Sequence, residues 1–385
     1  MRGHKSLYAA FDVYPSTKGA GTHIYYMAST LFDFAKSGIL CSLGNEKLPV
    51  YQDEYPIEIY RFSEAIPNYL KRAEAYSNFI FNLMRSQNEM KICHFRDIWS
   101  AIPLLQPNRR HKTIFEVNAL SSIELPYAFE FTNKDSIEKI ISIEKHCLKE
   151  ADIILTPSDT IKNNLIDREV DEGKIKVITN GAYIPEMLSK PVEAPGKYII
   201  YFGALQEWQG IDVLLKAFAG LRDFQDLNLV ICSSNRQNYS KHFIKLSEHL
   251  GIADKIIWNY QLTQQNLFAW VQHAIVSVAP LKECSRNIDQ GCSPLKILES
   301  MACGVPVVAS DIAAVREIIT DNFDGKLIRP DRPAELSRAL RFILDYPDYA
   351  AKIKENALKT IKARFTWEQK KKELTDVYSN LVSTN

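Results

Sequence analysis

Short apolar runs alternate with segments of helical period along most of the chain. In the first half, the apolar runs predict strands at Leu7–Val13, Ile57–Phe62, Lys91–Phe95, Thr113–Val117, Ile153–Thr156 and Lys176–Ile178. Between them, a period of 3.6 residues predicts helices at Thr22–Lys36, Asn68–Arg85, Ser136–Lys149 and Ser158–Ile166. Alternation of this kind indicates parallel βα units, with helices covering both faces of a sheet.

The alternation stops once near the middle of the chain and then begins again. Asn180-Gly181 is a strong turn signal, and Pro185–Gly196 contains three prolines and little periodicity. The strands predicted beyond this break are Tyr198–Phe202, Leu227–Cys232, Ile256–Tyr260, Ile275–Ala279 and Val305–Ala309. The helices are predicted near Ile211–Leu221, Gln265–His273, Pro294–Cys303 and Ala334–Leu344.

Two doubly wound α/β domains therefore follow from the pattern. We place the first at residues 1–185 and the second at residues 186–363, which leaves residues 364–385 as a separate C-terminal segment. Ligands bind at the carboxyl ends of the strands in this architecture, so the cleft between two such domains is the expected site.

Composition and charge exclude several classes of protein. The 385 residues carry 47 Lys and Arg against 46 Asp and Glu, a balance that argues against a nucleic-acid partner. The seven cysteines are scattered without a CxxC pair, which predicts neither a disulfide framework nor a zinc site and favours a cytoplasmic location. No run approaches the roughly 18 apolar residues that a membrane-spanning helix needs.

The predicted helix at Asn68–Arg85 is compatible with a peripheral contact to a membrane. It mixes basic and apolar side chains, and a helix of this kind suits either the inner membrane surface or the cover of a domain. The basic residues are Lys71, Arg72 and Arg85, and the apolar ones are Phe79, Ile80, Phe81, Leu83 and Met84.

The most informative stretch of the sequence is residues 291–310, Gly-Cys-Ser-Pro-Leu-Lys-Ile-Leu-Glu-Ser-Met-Ala-Cys-Gly-Val-Pro-Val-Val-Ala-Ser. Ser293 is a good N-cap, and Pro294 suits the first helical position, where its missing N–H is not needed. Gly304 ends the predicted helix, and a buried strand follows.

The start of this helix predicts a phosphate site. Its first backbone N–H groups have no partner within the helix and lie at the positive end of the helix dipole. Lys296 adds a full positive charge, and Glu299, three residues later on the same face, can accept hydrogen bonds from a ribose diol. A capped helix with one lysine and one glutamate is also common elsewhere, so the local pattern alone leaves both interpretations open.

This stretch resembles the signature of the family 4 retaining glycosyltransferases, whose fold, GT-B, consists of two facing Rossmann-like domains. Glu299 matches the second of two family glutamates separated by seven residues, and the resemblance implies that it binds the donor ribose. Gly291 stands at the position of the first glutamate, and Ser-Pro-Leu-Lys is a variant that recurs in the family. The resemblance implies that Ser293, Pro294, Leu295 and Lys296 bind the donor diphosphate and that Gly291 and Cys292 bind its sugar.

Two further family landmarks lie in the first half of the chain. Residues 18–23, Lys-Gly-Ala-Gly-Thr-His, resemble the glycine loop that approaches the donor diphosphate, which implies this role for Gly19 and Gly21. We interpret His23 as a capping or packing residue. Asn118 stands where many members carry a histidine near the transferred sugar, which implies a catalytic and sugar-binding role. Its amide can bind a hydroxyl but does not titrate near neutral pH.

The second half departs from the family at the diphosphate. Residues 201–210 line up with a Gly-Arg-Leu-x-x-x-Lys-Gly motif whose Arg and Lys clamp the diphosphate, but Ala204 and Gln209 replace them. We expect Lys296 and Arg286 to compensate and to act in catalysis, with Gln209 remaining at the diphosphate. For Arg286, a solvated loop charge is an equal alternative. Tyr260, at the end of a strand, either stacks on the donor base or packs in the core.

The resemblance implies a metal-independent retaining hexosyltransferase without a cofactor. The expected substrate is a nucleotide sugar, UDP-glucose ahead of GDP-mannose, and the expected acceptor is a glycan or a lipid-linked glycan in polysaccharide biosynthesis. No G-x-G-x-x-G or G-x-S-x-G motif supports a dehydrogenase or a hydrolase. The alternative is a nucleotide-sugar-binding GT-B protein without turnover, because Gly291, Ala204, Gln209 and Asn118 all replace donor-contacting residues.

Overall fold

The structure, a computed structural model, describes residues 4–129 and 133–383. The chain divides into two compact units, each with its own sheet. The first unit comprises Met1–Ser16, Ala20–Thr179 and Lys370–Asn385, and the second comprises Thr17–Gly19 and Asn180–Gln369. The βα alternation predicted from the sequence is confirmed in both units.

The first unit is built on an eight-stranded sheet. Its strands are β1 (Ser6–Val13), β2 (Gly38–Leu43), β3 (Tyr51–Glu54), β4 (Ile57–Phe62), β5 (Ile92–Phe95), β6 (Lys112–Glu116), β7 (Ile153–Thr156) and β8 (Ile175–Val177). They follow the order β3-β4-β2-β1-β5-β6-β7-β8, and every neighbouring pair is parallel except β3 and β4. The strand order reverses at β1 and β5, and such a switch point is where α/β sheets bind ligands.

Helices cover the first sheet. They are α1 (Gly19–Ala35), α2 (Tyr69–Met84), α3 (Ile98–Leu104), α4 (Ser121–Ala128), α5 (Lys134–Glu150) and α6 (Asp159–Asp167). Leu7, Tyr8 and Ala9 in β1 are fully buried, as expected for a parallel strand with helices on both faces.

The second unit repeats this architecture with six parallel strands. They are β9 (Lys197–Gly203), β10 (Leu227–Ser233), β11 (Ile256–Tyr260), β12 (Val276–Ala279), β13 (Val307–Ser310) and β14 (Lys326–Ile328). Their order is β11-β10-β9-β12-β13-β14, so the switch point lies between β9 and β12. The loops that follow these two strands carry the residues expected at the diphosphate.

The helices of the second unit pack on its sheet. They are α7 (Ile211–Ala219), α8 (Lys241–His249), α9 (Gln264–Gln272), α10 (Leu295–Ala302), α11 (Ala313–Arg316), α12 (Pro333–Asp345) and α13 (Pro347–Arg364). The last helix, α14 (Trp367–Ser383), continues from the second unit into the first. Its Tyr378 is fully buried in the first unit, where the ring centroid lies 5.6 Å from that of Phe34.

Two strands of the first unit were not predicted. β2 is a six-residue apolar run that begins three residues after α1, and a run this short cannot be told from a continuing helix by its period. β3 has the sequence Tyr-Gln-Asp-Glu and lies largely exposed at the edge of the sheet, so it has no hydrophobic pattern to read.

Helix α2, for which the sequence leaves a membrane-surface role open, buries one face in the first unit. Ala73, Tyr76 and Ile80 are buried, whereas Leu70 and Phe81 are exposed. Across the described residues, no helix combines the length and the apolar character that crossing a bilayer requires. Contact with a membrane surface stays a prediction.

Candidate active site

The helix at the centre of the predicted site, α10, begins at Leu295 with Pro294 as its N-cap. The predicted N-cap at Ser293 is therefore wrong. The Ser293 hydroxyl instead accepts a hydrogen bond from the Asn180 backbone N–H at 3.4 Å. The Ser293 backbone carbonyl accepts a second one from the Asn180 side-chain amide at 2.8 Å. Proline has no side-chain oxygen, so the side chain of Pro294 cannot accept a hydrogen bond from the first backbone N–H groups of α10.

Lys296 lies in the first turn of α10 and points to the end of β9. Its Nζ donates hydrogen bonds to the Tyr201 hydroxyl at 3.0 Å and to Gln209 Oε1 at 2.5 Å. The same Nζ is 4.1 Å from the centroid of the Tyr201 ring, within the range of a cation–π interaction. Three contacts thus hold the ammonium group at the switch point between β9 and β12.

These contacts connect Lys296 to the two positions at which the sequence resemblance led us to expect diphosphate-binding cations. Gln209 is one of them and binds Lys296 directly. Ala204 is the other, and its carbonyl accepts a hydrogen bond from the Tyr201 hydroxyl at 2.7 Å. Tyr201 was not predicted as a site residue, because a tyrosine inside an apolar strand looks like a core residue.

Burial shifts the titration of both charged groups on α10. It lowers the pKa of Lys296 to about 7, and the charge of Arg286 adds to this effect while Cys292 and Glu299 oppose it. Burial also raises the pKa of Glu299 to about 7, against the opposing charge of Lys296. Perturbed pKa values of this kind cluster at functional sites, although structural ion pairs produce them as well.

The loop after β12 brings a second cation toward this site. The guanidinium carbon of Arg286 lies 5.1 Å from the Trp208 ring centroid, and Nη1 donates to Asn287 Oδ1 at 3.2 Å. The Asn287 amide donates in turn to the carbonyls of Trp208 at 3.0 Å and Lys282 at 2.8 Å. Arg286 begins the five-residue π-helix Arg286–Gln290, and its contacts with the Trp208 ring and Asn287 join this turn to the segment that follows β9.

Two glycines shape the backbone beside Lys296. Gly203 has φ of 131°, and a Cβ added there would stand 3.2 Å from Lys296 Nζ, so a side chain would be strained and would crowd the lysine. Gly291 has φ of 86° and ψ of 177°, a region that is essentially restricted to glycine. The glutamate that the family carries at this position is therefore disfavoured by the backbone itself.

The other residues predicted around the donor lie in the second unit as well. Cys292 is buried, and burial raises the pKa of its thiol. Tyr260 ends β11 half-buried, and its hydroxyl is 2.7 Å from Ser240 Oγ. A Cβ added at Gly19, which belongs to this unit, would lie 3.1 Å from Leu295 Cδ1. Leu295 and Gly19 are thus neighbours, whereas the Tyr260 hydroxyl contacts Ser240.

The first unit holds Asn118 and the second glycine of the predicted loop. A Cβ added at Gly21 would lie 2.3 Å from the Ser16 carbonyl oxygen, so this glycine is needed for close packing at the start of α1. The Asn118 side-chain amide donates a hydrogen bond to Glu116 Oε1. Glu116 is fully buried, and His23 Nε2 lies 2.6 Å from the same oxygen.

Within the part of the chain that the structure describes, there is no group of three or more His, Cys, Asp or Glu side chains arranged to hold a metal ion. The metal independence of the reaction stays a prediction.

Comparison with known proteins identifies glycosyltransferases that are similar in sequence. Residues 186–360 match the sequence model of the family Glycosyl transferases group 1. A D-inositol 3-phosphate glycosyltransferase from Salinispora tropica is 26% identical over 264 residues, which make up 62% of this chain and 53% of that protein. The chain therefore spans about half the length of this relative.

Solved structures resemble the whole chain. A sucrose-phosphate synthase from Thermosynechococcus elongatus has a TM-score of 0.83 at 18% identity, over 99% of this chain and 100% of the other. Anabaena HepE in complex with UDP-glucose has a TM-score of 0.74 at 15% identity, over 98% of this chain and 100% of the other. The predicted fold class is confirmed: the chain has the GT-B fold, with two parallel-sheet α/β domains, and the match over residues 186–360 supports a group 1 glycosyltransferase.

Proposed function

We propose that the protein is a metal-independent retaining hexosyltransferase that uses a nucleotide diphosphate sugar, UDP-glucose ahead of GDP-mannose. The observation that carries the proposal is the ammonium group of Lys296, held by Tyr201 and Gln209 at the start of α10. A helix N-terminus beside a lysine at a sheet switch point suits a diphosphate, whose charge favours the protonated form of the lysine. UDP-glucose is favoured because one structure with the same fold, Anabaena HepE, is a complex with it.

The donor would be bound by α10 from its diphosphate to its ribose. Backbone amides at the start of the helix and Lys296 would take the diphosphate, with Arg286 as the second cation. Glu299 lies one turn further along the same helix and would accept hydrogen bonds from the ribose diol. Tyr260 would lie near the base.

Catalysis would act mainly on the leaving group. Retention without a protein nucleophile passes through an oxocarbenium-like state, in which the diphosphate gains negative charge as the glycosidic bond breaks. Groups that are already oriented toward this charge lower the barrier, because they need no reorganisation during the reaction. Aromatic and amide contacts hold Lys296 and Arg286 in place, so both would meet this charge without reorganising.

The acceptor would be a glycan or a lipid-linked glycan. A cavity of about 570 Å³ at the N-terminal end of α2, in the first unit, supports an acceptor with an apolar part, since apolar and polar surface contribute about equally to its lining. Its lining combines aromatic and aliphatic side chains with three polar ones, and such a mixture suits a small amphipathic ligand. The lining residues are Pro67, Asn68, Tyr69, Leu70, Leu125, Ala128, Phe129, Asn133, Ser136 and Ile140.

Thermal melting with nucleotides tests the donor proposal. The melting temperature is measured with UDP, GDP and ADP and with their glucose or mannose conjugates. A ligand at 100 times its Kd adds about 2.7 kcal/mol to stability, so UDP and UDP-glucose are expected to raise the melting temperature by several degrees. A shift with GDP and GDP-mannose alone would replace the proposed donor, and no shift with any nucleotide would contradict the proposal.

The depressed pKa of Lys296 predicts that UDP binding takes up a proton. At pH 8 a lysine with a pKa of about 7 is mostly neutral, and a bound diphosphate favours its charged form. Binding should therefore take up as much as about 0.9 proton at pH 8, and affinity should fall as the pH rises from 7 to 9. Glu299, with a pKa raised to about 7, is mostly ionised at pH 8 and contributes little there.

Calorimetry in buffers of different ionisation enthalpy measures this uptake. Lys296→Arg is the matched control, because arginine stays charged at pH 8 and should take up no proton. Equal proton uptake in the wild type and Lys296→Arg would show that Lys296 does not face the diphosphate.

A further inference from the structure

A buried carboxylate in the first unit collects side chains from several elements. Glu116, at the end of β6, is only 2% exposed and lies within hydrogen-bond or ion-pair distance of five polar side chains. These are Tyr8, His23, His94, Arg96 and Asn118. A buried charge needs partners of this kind to be tolerated in a core, and here they come from β1, α1 and β5 and from the loops that follow β5 and β6.

The two carboxylate oxygens have different partners. Oε1 faces the Asn118 amide, His23 Nε2 at 2.6 Å and Arg96 Nε at 3.9 Å. Oε2 accepts from the Tyr8 hydroxyl at 3.0 Å and lies 3.2 Å from His94 Nε2. Oε1 thus contacts residues that follow the carboxyl ends of β5 and β6 and one residue near the start of α1.

The charge of Glu116 determines which way the Asn118 amide points. The neighbouring His23, His94 and Arg96 hold the pKa of Glu116 well below its usual range despite burial, so the group is ionised. An ionised carboxylate can only accept hydrogen bonds. Asn118 must therefore turn its NH2 group to Glu116, and its carbonyl oxygen points to the other side of the amide.

We infer that Glu116 is a positioning residue that fixes the Asn118 amide so that its carbonyl oxygen accepts a hydrogen bond from a sugar hydroxyl. This inference rests on the proposed function, since it concerns the sugar-binding role of Asn118. A free amide exchanges its oxygen and nitrogen by a half-turn and would offer a donor as readily as an acceptor. The carboxylate removes that ambiguity.

A double-mutant cycle tests the inference through the hydrolysis of UDP-glucose, followed as UDP release. Glu116→Gln is expected to lower kcat about 10- to 100-fold, because a glutamine can donate as well as accept and no longer fixes Asn118. If Glu116 acts through Asn118, the same change in an Asn118→Ala background costs less than about twofold. Equal losses in both backgrounds would overturn the inference.

Tyr8→Phe is the matched control, because it removes a hydrogen bond from the same carboxylate but from Oε2. It is expected to lower the melting temperature while kcat stays within about twofold of the wild type. A loss of kcat in Tyr8→Phe as large as in Glu116→Gln would mean that the cluster supports folding alone. If Glu116→Gln does not fold, Glu116→Asp replaces it in the cycle, because aspartate keeps the negative charge on a shorter side chain.

A spectroscopic measurement tests this inference without relying on the proposed function. In protein labelled with 15N-asparagine, the Asn118 side-chain NH2 signal is assigned by its loss in Asn118→Ala. The NH2 proton that is hydrogen-bonded to Glu116 should be shifted downfield and protected from exchange, and in Glu116→Gln both NH2 proton signals should move to the positions of a free asparagine amide. No UDP-glucose turnover in the wild type would count against the proposed function, whereas an unchanged Asn118 signal in Glu116→Gln would overturn the inference.

Discussion

Lys296→Met is expected to lower kcat for UDP-glucose turnover about 100- to 1,000-fold, the usual cost of removing one group that stabilises developing charge. Methionine keeps much of the length and volume of the side chain but has no charge. The Tyr201 ring and Gln209 would remain, yet neither carries a positive charge to offset the departing diphosphate. Steady-state kinetics of UDP release measures the effect, with KM changing less than kcat.

Lys216→Met is the control for this prediction. Lys216 lies half exposed on α7, and its Nζ is 3.5 Å from Asp212 one turn away. A surface pair of this kind contributes about 0–1 kcal/mol to stability, so this variant should keep wild-type kinetics. Full turnover and unchanged donor affinity in Lys296→Met would remove the central residue of the proposed mechanism.

Glu299→Ala is expected to weaken UDP binding roughly 10- to 100-fold, because hydrogen bonds to a charged group contribute about 1.5–3 kcal/mol. The ribose diol would lose its acceptor. The pKa of Lys296 should also fall further, since the Glu299 carboxylate raises it. Isothermal titration with UDP measures the change in Kd.

A control variant and a modified ligand test this prediction further. Glu355→Ala is the control, because Glu355 is exposed on α13 and pairs with Lys359 on the surface. Comparison of UDP with 2′,3′-dideoxy-UDP in the wild type should show the same loss as the Glu299→Ala variant shows with UDP. A variant that binds UDP as tightly as the wild type does would place the ribose elsewhere.

The sequence predicts the fold well because parallel strands and covering helices leave strong periodic signals. The runs at Leu7–Val13 and Tyr198–Phe202 lie within the central strands β1 and β9 of the two sheets. Edge strands lack that signal, since only part of their surface is buried, and β3 was missed for this reason. The GT-B assignment came from the resemblance rather than from periodicity, and the solved structures confirm it.

The candidate site is only partly readable from the sequence. Lys296 and Glu299 stand out because a local helix pattern positions them. Tyr201 and Glu116 do not, because their importance depends on contacts with residues 95 and 93 positions away, Lys296 and His23. The Ser293 cap was predicted wrongly because Asn180, more than a hundred residues earlier, hydrogen-bonds to Ser293.

The central claim is that the protein is an active retaining transferase and not a nucleotide-sugar-binding protein without turnover. Proton NMR of UDP-glucose incubated with the protein tests it most directly, since both the loss of the donor anomeric signal and the configuration of the released glucose are observed. We predict slow hydrolysis in which α-glucose appears before β-glucose. An unchanged UDP-glucose spectrum at concentrations where UDP raises the melting temperature would contradict the account and favour the binding protein.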